Sequence, residues 1–144
     1  MFDLITSKWR MFGSNNCIEH PKDIRIDLTK RVQDLNFNTK YIFQTKNIYS
    51  RSLEIHSLND EYNKKIDLSE VFRLNHYPIQ SKEYFKKVKM TRGDAYNIAD
   101  DNTRDWNYFY AYNKNTYYED NDLKNMILNY NIKNIILVII KNFL

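Results

Sequence analysis

Glycine and proline are scarce in this chain, two of each in 144 residues, and cysteine occurs once. The single cysteine, Cys17, excludes an intrachain disulfide and any zinc site built on cysteine pairs. With so little glycine there is no Gly-rich phosphate turn, and no opening strand of the dinucleotide-binding kind. Sharp turns have to rest on asparagine, which tolerates left-handed backbone and can bond its own main chain. Long apolar runs are missing too. The block Ile135 to Ile140 is framed by Lys133, Asn134, Lys141 and Asn142. A spanning helix needs about 20 largely apolar residues, so no membrane span is expected. The segment Met1-Phe2-Asp3-Leu4-Ile5 has no basic stretch leading into an apolar run, and no signal peptide is read there. Internal repeats and low-complexity linkers are absent as well.

Apolar and aromatic residues are plentiful. The hydrophobic share is 42% and the aromatic share 15%, with 12 Tyr and 8 Phe. That excludes a disordered chain, and the length fits one domain over residues 1–144. The net charge is +4, from 22 basic and 18 acidic residues. Acids are interspersed among the bases, so no basic stripe of the nucleic-acid-binding kind forms. Lys, Asn, Ile and Tyr all use AT-rich codons, and an AT-rich genome accounts for the excess of lysine.

The hydrophobic period changes near Pro78. Before it, short alternating runs predict strands at 8–12, 23–28, 40–45, 48–55 and 71–77, with Gly13-Ser14-Asn15-Asn16 as a turn and 56–65 as a loop. After it the spacing becomes helical. Ser81 is a suitable N-cap, with Glu83 in the first turn where the helix dipole favours an acid. That helix is expected to stop near Gly93. Trp106, Phe109 and Tyr110 recur at helical spacing, as do Leu123, Met126, Ile127 and Tyr130. The fold class read from this is α/β, with strands and loops over 1–78 and helices over 79–144.

His76 carries the most chemical information. It is placed at a strand end, between Asn75 and Tyr77 and just before Pro78, with Lys82 and a helix N-terminus following. An imidazole there suits a metal-bound diphosphate, with Lys82 and the first helix amides facing the phosphates. The competing reading is a histidine bonded to a neighbouring carbonyl. His20 and His56 are read as ordinary histidines, Cys17 as a poor nucleophile, and the aromatic run Trp106 to Tyr112 as core.

Asn75-His76-Tyr77, Lys82-Glu83, Phe85 and the stretch from Lys87 to Arg92-Gly93-Asp94-Ala95 resemble a block of glycosyltransferase family 92 and its family-2-like relatives. Trp9-Arg10-Met11-Phe12-Gly13-Ser14 resembles that family's W-x-x-F-G-S strand and loop. Ile26-Asp27-Leu28-Thr29-Lys30-Arg31 is similar to the acidic segment that follows it. Tyr41 to Lys46, His56, Arg104 to Phe109 and Tyr112 to Asp120 fall in the family's order, so the resemblance spans about Trp9 to Asp122. It implies a partial GT-A-like domain that transfers a sugar from a nucleotide-sugar donor to an acceptor hydroxyl. It further implies His76 as a metal ligand and Gly13, Ser14, Lys82 and Arg92 as donor-binding residues. Asp27 is implied as the carboxylate that activates the acceptor. A divalent metal, manganese or magnesium, belongs to the complete family domain.

The chain departs from the family in one large way. The family's D-x-D precedes W-x-x-F-G-S, whereas only residues 1–8 stand there, with Asp3 as their one acid. Asp120-Asn121-Asp122 comes too late for that role and is read as the acidic first turn of the last helix. The chain is therefore expected to be the C-terminal portion of such a domain, inactive unless an N-terminal half, encoded separately, completes it. Its partners would then be a nucleotide sugar and a glycan acceptor. The alternatives are a non-catalytic remnant or interaction protein, and a small basic nucleic-acid-binding protein.

Overall fold

The computed structural model describes residues 4–44, 46, 64–91 and 104–130. Strand β1, Leu4–Met11, is buried on both faces: Leu4, Thr6 and Arg10 on one, Ser7, Trp9 and Met11 on the other. A strand covered on both sides has no solvent-facing side, so Thr6, Ser7 and Arg10 are buried along with its apolar residues. A one-turn helix, α1, Ile24–Asp27, and a two-residue strand, β2, Lys30–Arg31, follow. Strand β3, Asn36–Phe43, then runs antiparallel along one edge of β1, from Leu4 opposite Phe43 to Lys8 opposite Thr39. The register breaks between Lys8 and Trp9.

Two short strands share the other edge of β1, end to end and both parallel to it. Strand β4, Lys65–Asp67, pairs with Leu4–Thr6, and β5, Leu74–His76, pairs with Trp9–Met11. Between them the chain turns on Leu68, whose carbonyl accepts from the Val71 and Phe72 amides at 2.9 and 2.8 Å. Strand β2 rests on the end of β1 through a Phe12–Arg31 bridge. It also pairs with β6, Tyr118–Glu119.

The helical half begins at Ser81, whose side chain accepts from the Tyr84 amide. Helix α2, Lys82–Tyr84, widens at once into a π-helical turn, Phe85–Lys89. Helix α3, Trp106–Asn113, is capped by Asp105, and α4 covers 122–130. Ile79, Phe85 and Phe109 form a fully buried cluster, with Met90, Trp106, Tyr108 and Tyr112 packed around it. Each such side chain contributes about 1.5–3 kcal/mol by leaving water. The aromatic run of α3 is thus mainly core; Tyr110, 55% exposed, is the exception. Burial pushes the Tyr108 phenol up to about 12, with Tyr112 alongside adding to the rise.

The result is a mixed α/β chain, strands mainly in its first part and helices mainly in its second. Two expectations are corrected, and one strand went unread. Residues 23–28 form the helical turn α1 instead of a strand: Asp23 accepts from the Arg25 amide, the Asp27 carboxylate accepts from the Asp23 amide, and this local bonding outweighs the alternation of Ile24, Ile26 and Leu28. The strand read at 71–77 shrinks to β5, because Leu68 draws Val71 and Phe72 into a turn. Strand β4 was hidden by its length of 3 residues and by charges on both sides of Ile66. The strand read at 48–55, His56, Arg92-Gly93-Asp94 and the block 135–140 lie outside the described residues. Among those described, no helix is long and apolar enough to cross a membrane.

Candidate functional site

Parallel strands β1 and β5 end side by side. Met11 stands opposite His76, and the Phe12 amide donates to the His76 carbonyl at 2.9 Å. Ligand crevices in open α/β sheets form beyond such carboxyl ends. Here the chain leaves β1 through Gly13-Ser14-Asn15-Asn16. Asn15 and Asn16 take left-handed φ values of 50° and 61°, the role expected of asparagine in a glycine-poor chain. Gly13 is required by space: a Cβ there would lie 2.7 Å from the Thr116 Cβ and 2.8 Å from the Asn113 Oδ1.

Ser14 is buried, and its amide and hydroxyl both donate to Asn113 Oδ1, at 2.9 and 3.1 Å. Its hydroxyl oxygen also accepts from the Asn16 amide at 3.2 Å. Ser14 therefore ties the loop to the end of α3. Nothing in the sequence marks Asn113 for that duty.

The His76 ring stacks on the Trp9 indole, centroids 4.0 Å apart and planes 15° from parallel, with Nδ1 buried. Stacking fixes the plane of the imidazole and leaves its edges to do any chemistry. Trp9, absent from the expected site residues, is the side chain that orients His76. Nothing local in the sequence marks Trp9 for that contact.

Helix α2 begins a few residues after His76, as expected, but its first amides are taken. The Lys82 amide donates to the Cys17 carbonyl at 3.1 Å and the Glu83 amide to the Ile18 carbonyl at 2.9 Å. Tyr84 and Phe85 donate to the Ser81 side chain and carbonyl at 3.1 and 2.9 Å. Lys82, Glu83 and Tyr84, which a helix start leaves without intrahelical partners, are thus bonded within the chain, and Phe85 opens the helical ladder, so these amides do not face phosphates. They dock the helix on the 13–18 loop instead. The Lys82 side chain is exposed.

Asp27, exposed at the end of α1, reaches the same loop, its carbonyl accepting from Asn15 Nδ2 at 2.9 Å. Its Oδ2 accepts from the Asp23 amide at 3.3 Å. Cys17 lies nearby. Burial pushes its thiol up, and the Asp27 charge adds to that, so it stays a thiol at neutral pH. Gly13, Ser14, Lys82 and Asp27 are therefore all bonded into or onto one loop, with His76 bonded at its root. Arg92 lies outside the described residues.

Among the described residues no three His, Cys, Asp or Glu side chains gather as a metal site would require. His76 alone does not fit a divalent metal. The Asp120–Asp122 carboxylates are engaged by arginines. Asp120 Oδ2 accepts from Arg10 Nη1 at 3.1 Å and Arg31 Nε at 2.6 Å, and Asp122 accepts from Arg73. Asp120 Oδ1 accepts from the Asp122 amide at the start of α4, the helix-starting role read from the sequence.

Comparison with protein-family models, with characterised proteins and with solved structures found no match for the chain.

Proposed function

We propose that this chain is the C-terminal portion of a GT-A-like glycosyltransferase domain of the family 92 type. Such a domain transfers a sugar from a nucleotide-sugar donor to an acceptor hydroxyl. One observation carries the reading. The F-G-S turn and the N-H-Y strand end, far apart in sequence, meet at the carboxyl ends of β1 and β5. In this reading the 13–16 loop lies against the donor and Lys82, with Arg92, offers charge to its phosphates. His76, held flat by Trp9, faces the leaving group. Asp27, an exposed carboxylate, takes the proton from the acceptor hydroxyl as that oxygen attacks the sugar carbon and the bond to the diphosphate breaks. The manganese or magnesium ion of the family would neutralise the diphosphate. Its acidic ligands would have to come from outside the described residues, and no step here depends on it.

A second reading is favoured by a separate observation. Ser14 and the Lys82, Glu83 and Tyr84 amides at the start of α2 are bonded within the chain, as they would be in a remnant that keeps a fold but no chemistry.

Calorimetry with a panel of nucleotide sugars, with and without manganese, separates the two. The chain alone is expected to bind no more tightly than about 1 mM and to show no turnover. Joined to a segment bearing an acidic D-x-D, it should gain manganese-dependent binding, which His76→Ala removes and Lys82→Ala weakens less. A completed domain that binds no nucleotide sugar would leave the remnant reading. Robust turnover by the 144-residue chain would overturn the placement of the machinery.

A further inference from the structure

Successive residues of a strand face opposite sides of the sheet. Met11 pairs with His76, and the adjoining pair is Arg10 with Asn75. On the Arg10 side lies a cleft of about 370 Å³, lined by Arg10, Arg25, Arg73 and Tyr77 and floored by Leu123 and Met126. That volume suits a small molecule.

Its hydrogen-bonding capacity is lopsided. Both oxygens of Asp120 are engaged, one by the Asp122 amide and the other by Arg10 and Arg31. Asp122 Oδ2 is shared between Arg73 and Arg10, the latter at 3.8 Å. Three guanidiniums, of Arg10, Arg31 and Arg73, thus divide two carboxylates. Glu70 adds an acid 3.9 Å from Arg10, but it is 84% exposed and screened by water.

Donors are left over. A guanidinium carries five N–H groups. Arg73 uses Nη1, on Asp122. Arg25 commits Nε and Nη2 to Asp23 at 2.9 and 2.7 Å and has Nη1 to spare. Arg10 Nε is buried without a hydrogen-bond partner. Burial pushes the Tyr77 phenol up, so it remains protonated and able to donate. A surplus of charged donors beside an apolar floor is complementary to an anionic head on a less polar body.

We infer that this cleft binds a small molecule bearing one terminal oxyanion, a phosphate monoester or a carboxylate. Arg73 and Arg25 grip the anion, and the body of the ligand lies over Leu123 and Met126. The site is on the opposite face of β1 and β5 from His76 and does not depend on the glycosyltransferase reading.

The test is a calorimetric or NMR titration of the chain with phenyl phosphate, benzoate and phenol at constant ionic strength. At least one of the two anions should bind saturably with a dissociation constant at or below about 1 mM, and the tighter one identifies the head group. Phenol should not bind. Arg73→Ala and Arg25→Ala, both at exposed side chains, should each weaken the anion about tenfold. Lys86→Ala, which removes one charge outside the cleft, should change nothing. Absence of saturable anion binding, equal binding of phenol, or equal loss with Lys86→Ala would overturn the assignment.

Discussion

The Asp120 carboxylate joins β1, β2 and the start of α4, through Arg10, Arg31 and the Asp122 amide. Its side chain is 5% exposed, and its partners Arg10 and Arg31 are 7% and 9% exposed. Burial on its own would raise this carboxyl. The Arg31 bond, the Asp122 amide and the Arg10 charge reverse that and hold it below the usual carboxylate range. A depressed carboxylate stabilises the fold fully above its unfolded value of about 3.9, and the contribution disappears as pH falls through the folded value. Stability in urea should therefore hold from pH 7 to about 5 and fall away below about 4. Asp120→Asn keeps the volume but strands two buried guanidiniums, at a cost of about 3–5 kcal/mol, and should blunt the acid transition. A variant with the wild-type urea midpoint at both pH 7 and pH 3 would show that the cluster is not holding the fold. Arg10 falls inside the strand read at 8–12. Its carboxylate partner has no local sign there, because Asp120 lies 110 residues further along.

At the scale of elements, Gly13 and the end of α3 form a close contact that fixes the turn. Gly13→Ala should cost about 1–3 kcal/mol by overpacking. Trimming the neighbour in Gly13→Ala/Thr116→Gly should recover part of the loss in the denaturation midpoint. If the double variant is as destabilised as the sum of the singles, Thr116 is not what the methyl group meets. Elements with a local cause were legible: Ser81 as a cap, the α3 aromatics as core, the asparagines in left-handed turns. Those decided by distant partners were not. Strand β4 exists because Leu4–Thr6 offers it an edge, and α1 exists because Asp23 and Asp27 bond locally across an alternating run. Within the candidate site, His76 was placed correctly at its strand end. The Trp9 ring against it and Asn113 under Ser14 had no local signature, and the committed amides of α2 depend on carbonyls that only the folded loop presents.

For the whole molecule, the scattered charge becomes a set of pairs: Lys8 with Asp67, Arg25 with Asp23, Lys87 with Glu83, Arg73 with Asp122. Exposed bases outside these pairs, such as Lys22, Lys30, Lys65 and Lys86, are spread over a loop, β2, β4 and the π-helical turn. Fluorescence anisotropy with single- and double-stranded DNA and RNA should show no binding at about 0.15 M salt. Tight binding that weakens steeply with added salt would mean several phosphates are neutralised at once, and would favour the nucleic-acid alternative. The larger sheet has a further property. Every strand in it pairs with β1, yet β1 is made first, and its second edge is closed by strands that follow it by about sixty residues. At translation rates of roughly 5–20 residues per second, the nascent chain spends on the order of seconds with that edge bare. Until Leu74–His76 leave the ribosome, β1 is a template open to another growing chain, and yield in the cell should depend on chaperones that shield strand edges during that interval.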